Sequence, residues 1–304
     1  MNIEKILYDM LAYSAPIVLA VLGGNFAHSA NVLNIALEGM MLAGAFTSVL
    51  VVILTGNVLL GVLAGIAVTM VFGLVFSYLG VTRRGNVIIV GLAINLLAAS
   101  GSAFILKAMN LANLNANSIV NVADLKVHLP FIESIPFVGG VISGHPPLTY
   151  VAFLGIAVMS VVMYRTRFGV YVRVVGENED AAASVGIKAD RIKYAAVLIG
   201  AVCCALAGAN LALEKMALFT NGMTAGIGFI AIAAIFCGRG RPGTTSLYAI
   251  AFGLAQSLAI NLNLSAGPAS GLFNTIPYIM IVVILTVVSF LQHKNSKARG
   301  LINA

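Results

Sequence analysis

The stretch GNVIIVGLAINLLAASGSAFIL, residues 85–106, contains no charged side chain and is bracketed by Arg84 and Lys107. A membrane-spanning helix needs about 20 mostly apolar residues, so this run makes one span by itself. The pattern recurs twice, since no charge lies between Lys193 and Glu214 or between Arg241 and Lys294. Over 304 residues the chain is 60% hydrophobic and 9% charged, against roughly 45–50% and 25% in soluble domains. A soluble fold has nowhere to hide that much apolar surface. The expected fold class is all-α, a polytopic transmembrane helical bundle forming one domain over residues 1–304.

Apolar runs set against span length predict about nine spans (eight to ten), near 14–30, 33–54, 58–81, 87–108, 149–164, 194–213, 226–237, 246–262 and 273–291. The seventh is short and follows Gly226 and Gly228, which suggests a broken or re-entrant element. Short basic loops stay on the cytoplasmic side during insertion. Arg83, Arg84, Arg165, Arg167, Arg173, Lys188, Arg191, Lys193, Arg239, Arg241, Lys294, Lys297 and Arg299 fall on one side, thirteen of the seventeen basic residues. That side is expected to be cytoplasmic, with the C-terminus, and residues 109–148 form an extracytoplasmic loop. Parity puts the N-terminus outside, unless the stripe Ile3, Ile6, Leu7, Met10 and Leu11 belongs to an extra span. Its helical spacing marks an interfacial helix or the start of a continuous first one.

No secretory signal is read at Met1–Asp9, where Glu4 and Lys5 interrupt the stretch and no small-residue cleavage site follows. Cys203, Cys204 and Cys237 lie in apolar runs and are expected to be small core hydrophobes. The net charge of +7 sits beside apolar spans, as membrane topology requires, and speaks against nucleic acid as a partner.

No catalytic constellation is present. His28, His128, His145 and His293 are scattered, and neither H-E-x-x-H nor G-x-S-x-G occurs. The chain also lacks a G-x-x-x-x-G-K-[ST] phosphate loop, so energy for active transport has to enter through a partner or an ion gradient. A metal site and a bound cofactor are not expected.

The basic-side segment 165–193 carries a helix signature at 178–185. Asn178 suits the N-cap, Glu179 and Asp180 the positive N-terminal dipole, and Gly186 the C′ position. So short a helix is unstable alone in water. It is either a solvated connector or is held by packing on its own bundle or on another protein. Asp190 is a candidate cap for the span that follows.

Polar groups inside spans are costly in hydrocarbon unless they meet a partner or a water-filled path. Glu38 is the only Asp, Glu, Lys or Arg side chain between Asp9 and Arg83, with Asn34 one turn before it. Asn95 sits mid-span and Gln256 lies in the eighth span. Asn34, Asn95 and Gln256 are candidates for reading a hydroxylated solute, or they bond neighbouring helices. Glu38 suits a structural or coupling role. Small residues at Gly61-x-x-x-Gly65 and Ala205-x-x-Gly208-Ala209 favour close helix contact. A weak echo links Glu38-Gly39-Met40-Met41-Leu42-Ala43-Gly44 with residues 229–238, running in opposite directions across the membrane. Inverted repeats and chance likeness both account for it.

Taken together, Asn34-Ile35-Ala36-Leu37-Glu38-Gly39-Met40-Met41-Leu42-Ala43-Gly44-Ala45-Phe46, Arg167-Phe168-Gly169 and Arg173-Val174-Val175-Gly176-Glu177-Asn178 resemble the permease subunits of bacterial ABC importers for branched-chain amino acids, ribose and nucleosides. Ala181-Ala182 and Gly186-Ile187 continue the likeness to their coupling loop. Residues 129–139, Met223 to Ala233, and Gly238 to Pro242 look most like the nucleoside and simple-sugar branch. Arg239-Gly240-Arg241 departs from relatives that carry an apolar or aromatic residue there. The resemblance covers nearly the whole chain.

It implies a type II-like importer permease in the bacterial inner membrane. Its partners would be ATPase subunits holding ATP and Mg, a second and different permease, and an outside solute-binding lipoprotein. Residues 165–193 would be the coupling loop, with Arg173, Gly176, Glu177, Asn178, Asp180, Ala181, Ala182 and Gly186 at the ATPase. Glu38, Gly39 and Gly44 would act structurally or in coupling. A nucleoside, purine before others, is the expected cargo, with a ribose-like sugar as the alternative. A stand-alone ion-coupled carrier is the rival class; it would need buried carboxylates or basic residues along the spans, and apart from Glu38 none is read there.

Overall fold

The computed structural model describes residues 3–265 apart from 129, 134 and 136, together with 275, 276, 279, 280, 282–287 and 290. Eight apolar helices dominate: α1 (Ile3–Ser29), α2 (Leu37–Thr55), α3 (Val58–Ser77), α4 (Val87–Ala108), α7 (Pro147–Arg165), α10 (Ala189–Ala209), α11 (Ile227–Gly238) and α12 (Pro242–Ser265). Five-residue π turns extend α3 over Tyr78–Thr82 and α10 over Asn210–Glu214. The shorter pieces are β1 (Asn113–Asn115), α5 (Pro130–Glu133), α6 (Val138–Ile142), α8 (Arg167–Glu177), α9 (Glu179–Ser184) and β2 (Leu218–Thr220).

Seven of these helices are long and apolar enough to cross a membrane, and α11 is a shorter apolar helix. The expected count of nine is thus not reached among the described residues; the run at 273–291 lies partly outside them. Where a span was expected near 14–30, the helix starts at Ile3, so the N-terminal stripe is its first part. The span expected from 33 begins only at Leu37, because residues 31–36 are not helical. Asp190 does not cap α10. Lys188 holds the N-cap without a side-chain bond, and Asp190 lies inside the first turn.

Helices α1, α2 and α10 form the centre, with Ile17, Phe26, Met40, Met41 and Ala201 removed from the surface. On α3, α4 and α7 the apolar side chains point outward, among them Leu63, Leu96, Phe104 and Leu154. Rows of exposed leucine suit lipid, because tails are as apolar as the side chains and provide no drive to bury them. Close contact therefore rests on small residues. A side chain at Gly61 or Gly65 would strike Ser48 on α2, and one at Gly208 would strike the Met41 carbonyl. The three cysteines are buried and free.

The bundle has two faces. On one, the ends of α1 and α3 and the starts of α9 and α10 gather around Asn31, Gly80, Arg84, Glu179 and Lys193; this is the basic face. At the opposite, ribbon face, β1 pairs antiparallel with β2, Leu114 opposite Phe219, and Val127 bridges His145. The Tyr8 hydroxyl donates to the Gly144 carbonyl at 2.7 Å, so α1 begins at the ribbon face.

Candidate functional site

Two helix starts meet inside the bundle. After α1 ends at the basic face the chain turns back through Asn31, whose φ is +57°, and α2 begins at Leu37 with Glu38 in its first turn. From the other direction the chain leaves β2 and α11 begins after Gly226, whose φ is +83°. The twelve residues of α11 rise about 18 Å at 1.5 Å each, little more than half of a hydrocarbon core about 30 Å thick. Its C-terminal end is at the basic face, so its N-terminus is near mid-depth.

Glu38 joins the two starts. The Gly226 N–H donates to Glu38 Oε1 at 2.9 Å and the Gly228 N–H to Oε2 at 2.6 Å. A helix N-terminus leaves N–H groups without intrahelical partners and carries partial positive charge, so a carboxylate there satisfies both demands. Gly228 is required by the approach: a Cβ would lie 2.5 Å from the Glu38 nitrogen. The two segments of the sequence echo run in opposite directions and touch at their starts.

Asparagines hold the non-helical approach to α2 in place. The Gly39 N–H donates to Asn95 Oδ1 at 2.7 Å, and Asn95 Nδ2 donates to the Ile35 carbonyl at 3.0 Å. The Ala36 N–H donates to Asn34 Oδ1 at 3.0 Å, and Asn34 is buried. Both amides are engaged with backbone. Gln256, the third candidate, is half-buried and bonded to none of the described residues. Gly39 packs on the Asn95 backbone, and Gly44 is where α2 crosses Ala205 of α10 and Thr69 of α3. Replacing Asn95 with Ala should strip two backbone groups of partners and cost about 2–3 kcal/mol. Thermal unfolding of the purified chain is expected to show the loss, and an unchanged midpoint with weakened uptake would make Asn95 a solute ligand instead.

At the basic face the segment 165–193 holds two helices, not the single one expected. Thr166 caps α8, accepting from the Gly169 N–H at 3.3 Å. Asn178 ends α8 and caps α9, its Oδ1 accepting from the Ala181 N–H at 2.9 Å. One residue between two helices leaves a stiff elbow. Val175 and Ala182 are buried together against Ala189, while Glu177, Asp180, Ala181 and Gly186 are exposed. Gly186 takes a φ of +83° just beyond α9. Further contacts hold the elbow on the bundle. Gly176 lies directly against the Ser29 carbonyl at the end of α1, and Lys193 of α10 pairs with Glu179 at 2.5 Å. Arg173 leans on Tyr164, its Cζ 5.4 Å from the ring centroid.

A second carboxylate works as Glu38 does. Glu214, in the π turn, accepts from the Leu148 N–H of α7 at 2.9 Å and from Asn210 Nδ2 at 2.8 Å. Next to it Lys215 places its ammonium 4.4 Å from the Tyr13 ring centroid. The adjoining charges Glu214-Lys215 after an apolar run were the available signal for this cluster. In the ribbon-face loop, hydrogen bonds with Ser143 and His128 hold the Glu133 carboxyl below its usual range. Burial pulls the His145 imidazole below its own.

A family model described as branched-chain amino acid transport system / permease component matches residues 6–285. The chain belongs to this permease family. The guanosine ABC transporter permease protein NupQ of Bacillus subtilis is 32% identical over 304 residues, 95% of this chain and 93% of the relative. A nucleoside permease, NupC of Lactococcus lactis, is 29% identical over 94% of this chain and 92% of its own length. The glucose permease TsgB13 of Haloferax volcanii is 24% identical, covering 95% and 78%. Among solved structures, an inward-facing transporter described as of the metal-chelate ABC type superposes with a TM-score of 0.53 at 16% identity, over 93% of this permease and 84% of that chain. It shares the fold. The permease is accordingly a multi-pass membrane protein and a transport component that works with an ATPase, as the resemblance of residues 34–46 and 167–187 implied.

Proposed function

We propose that this permease forms half of the path by which an ABC importer carries a nucleoside, a purine nucleoside first, across the bacterial inner membrane. The observation that carries the reading is the α8–α9 elbow, an outward-facing capped helix braced on α1 and α10. A partner ATPase closing on ATP would push α9 near Asp180 and Ala181. The stiff joint at Asn178 would pass that push through Gly176 to α1 and through Lys193 to α10. Both helices pack on α2, and α2 is tied to α11 by Glu38. Displacement of the elbow thus reaches the mid-membrane joint through packed elements, and this is how alternating access would be driven. The chain itself would catalyse nothing, and ATP with Mg would stay on the ATPase.

The basic face is assigned to the cytoplasm, because basic loops are retained there, which puts the start of α1 and the β1–β2 ribbon outside. There the ribbon and the loop at 109–148 would receive a solute-binding lipoprotein. The second half of the path would come from a different permease, with Gln256 as a candidate for reading ribose hydroxyls.

Nucleoside is favoured over sugar because NupQ, at 32%, is more identical than the putative glucose permease TsgC13 of Haloferax volcanii, at 30%. Both NupQ and NupC also cover more of each chain than TsgC13, which spans 89% of this chain and 87% of its own length. Uptake of labelled guanosine by cells expressing the whole transporter is expected to fall with excess adenosine or guanosine and to persist with excess ribose. Competition by ribose alone would make the sugar the cargo. Uptake that continues with every partner ATPase deleted would refute the importer reading.

A further inference from the structure

The run Arg239-Gly240-Arg241 finds its place in a cleft of about 610 Å³ on the basic face. The cleft is lined by Arg239 and Arg241 from the α11–α12 turn, Arg173 from α8, Tyr164 from α7 and His28 from α1, with Glu177 as its one carboxylate. The turn is built rather than loose. Arg239 and Gly240 take φ values of +54° and +66°, and a side chain at Gly240 would meet the His28 ring at 2.6 Å. Ser29 Oγ donates to the Gly240 carbonyl at 3.5 Å. Ion pairs among the described residues are His128–Glu133 and Lys193–Glu179. None of the three arginines takes part, although Glu177 shares their cleft.

Arg173, held by the Tyr164 ring and the Gly169 carbonyl, lines the cleft with Arg239 and Arg241, which have no ion-pair partner among the described residues. Such a set suits a phosphate, whose oxygens match the planar fork of arginine. Depth identifies the source. Tyr164 and His28 belong to the last turns of two membrane spans, the level of lipid headgroups, where tyrosine is enriched. Beside His28, its ring 5.4 Å away, Phe236 is 46% exposed and presents an apolar surface leading away from the cleft. A charged pocket continued by an apolar flank fits an amphiphile. We propose that this cleft binds the phosphate headgroup of an anionic phospholipid, with an acyl chain lying along Phe236. The lipid would then touch α1, α7, α8 and the α11–α12 turn together, and so brace the helices on which the elbow rests. This site does not depend on which solute is carried.

The test uses the whole transporter in nanodiscs of phosphatidylcholine with a minor share of phosphatidylglycerol, and reads retained phosphatidylglycerol by native mass spectrometry. The double variant R239Q/R241Q is expected to retain it about 30-fold more weakly, near fivefold per arginine. R83Q/R84Q, which removes the same charge elsewhere on that face, should change retention less than about threefold. R239K/R241K keeps the charge without the fork and is expected to fall between wild type and R239Q/R241Q, which separates binding from misfolding. Equal loss in both glutamine double variants would reduce the effect to general surface charge and overturn the proposal. So would a thermal shift produced by inorganic phosphate in lipid-free detergent and abolished by R239Q/R241Q, since the source would then be soluble phosphate. Unchanged lipid retention with weakened co-purification of the ATPase would assign the cleft to an acidic protein segment and equally overturn it.

Discussion

Replacing Glu38 with Ala should lower the stability of the purified permease by about 3–4 kcal/mol. Two charge-assisted bonds disappear together, each worth about 1.5–3 kcal/mol, and the N–H groups of Gly226 and Gly228 are left unsatisfied at mid-depth. Glu38→Gln keeps one acceptor oxygen and should lose about half as much. The expected order of thermal midpoints is wild type, E38Q, E38A, with the full difference near 10 °C at about 2–4 °C per kcal/mol. Uptake should fall in the same order. If E38Q abolished uptake while melting like wild type, Glu38 would be handling a proton and would not be a cap. Identical midpoints for all three chains would remove the joint from the account.

Gly176→Val is the second large effect expected, and its signature is uncoupling. A Cβ at this position falls 2.9 Å from the Ser29 carbonyl carbon and closer still to its oxygen. Neither backbone can yield, so α8 has to lift from the end of α1. Overpacking of this kind costs about 1–3 kcal/mol, which shifts the coupling equilibrium by about 5- to 150-fold. Solute uptake by the reconstituted transporter should drop by that factor while its ATP hydrolysis continues. Gly101→Ala is the matched control, because nothing lies within 4 Å of a Cβ at that site and its φ is not positive. Full uptake by the G176V transporter would show that force does not reach α1 through this contact.

Much of the architecture was readable where one residue type dominated. The charge-free run 85–106 lies almost wholly within α4, and Asn178 with Glu179 and Asp180 announced α9, because caps act within four residues of sequence. The short seventh run, flanked by Gly226 and Gly228, foreshadowed a helix of half length. By contrast, α8 stayed hidden. Its β-branched valines and two glycines are weak helix formers, and burial of Val172 and Val175 decides its conformation. The ribbon was equally silent, since Asn113-Leu114-Asn115 has no strand signature apart from its partner. Glu38 was legible as an exception, but its partners were not. They are backbone N–H groups 188 and 190 residues away, and a backbone group leaves no mark in composition. Asn34 and Asn95 stood out for the same reason as Glu38, and only the geometry joins their amides to the approach of α2.

That separation also sets a timetable for biosynthesis. At about 5–20 residues per second, the ribosome adds Gly226 and Gly228 roughly ten to forty seconds after Glu38. Throughout that interval α2 holds a carboxylate in the membrane with no helix start to receive it. Nascent chains halted before Gly226 should therefore be handled as unfinished by quality-control proteases, however well their early spans insert. Completion of α11 is the event that closes the structure, and it comes late.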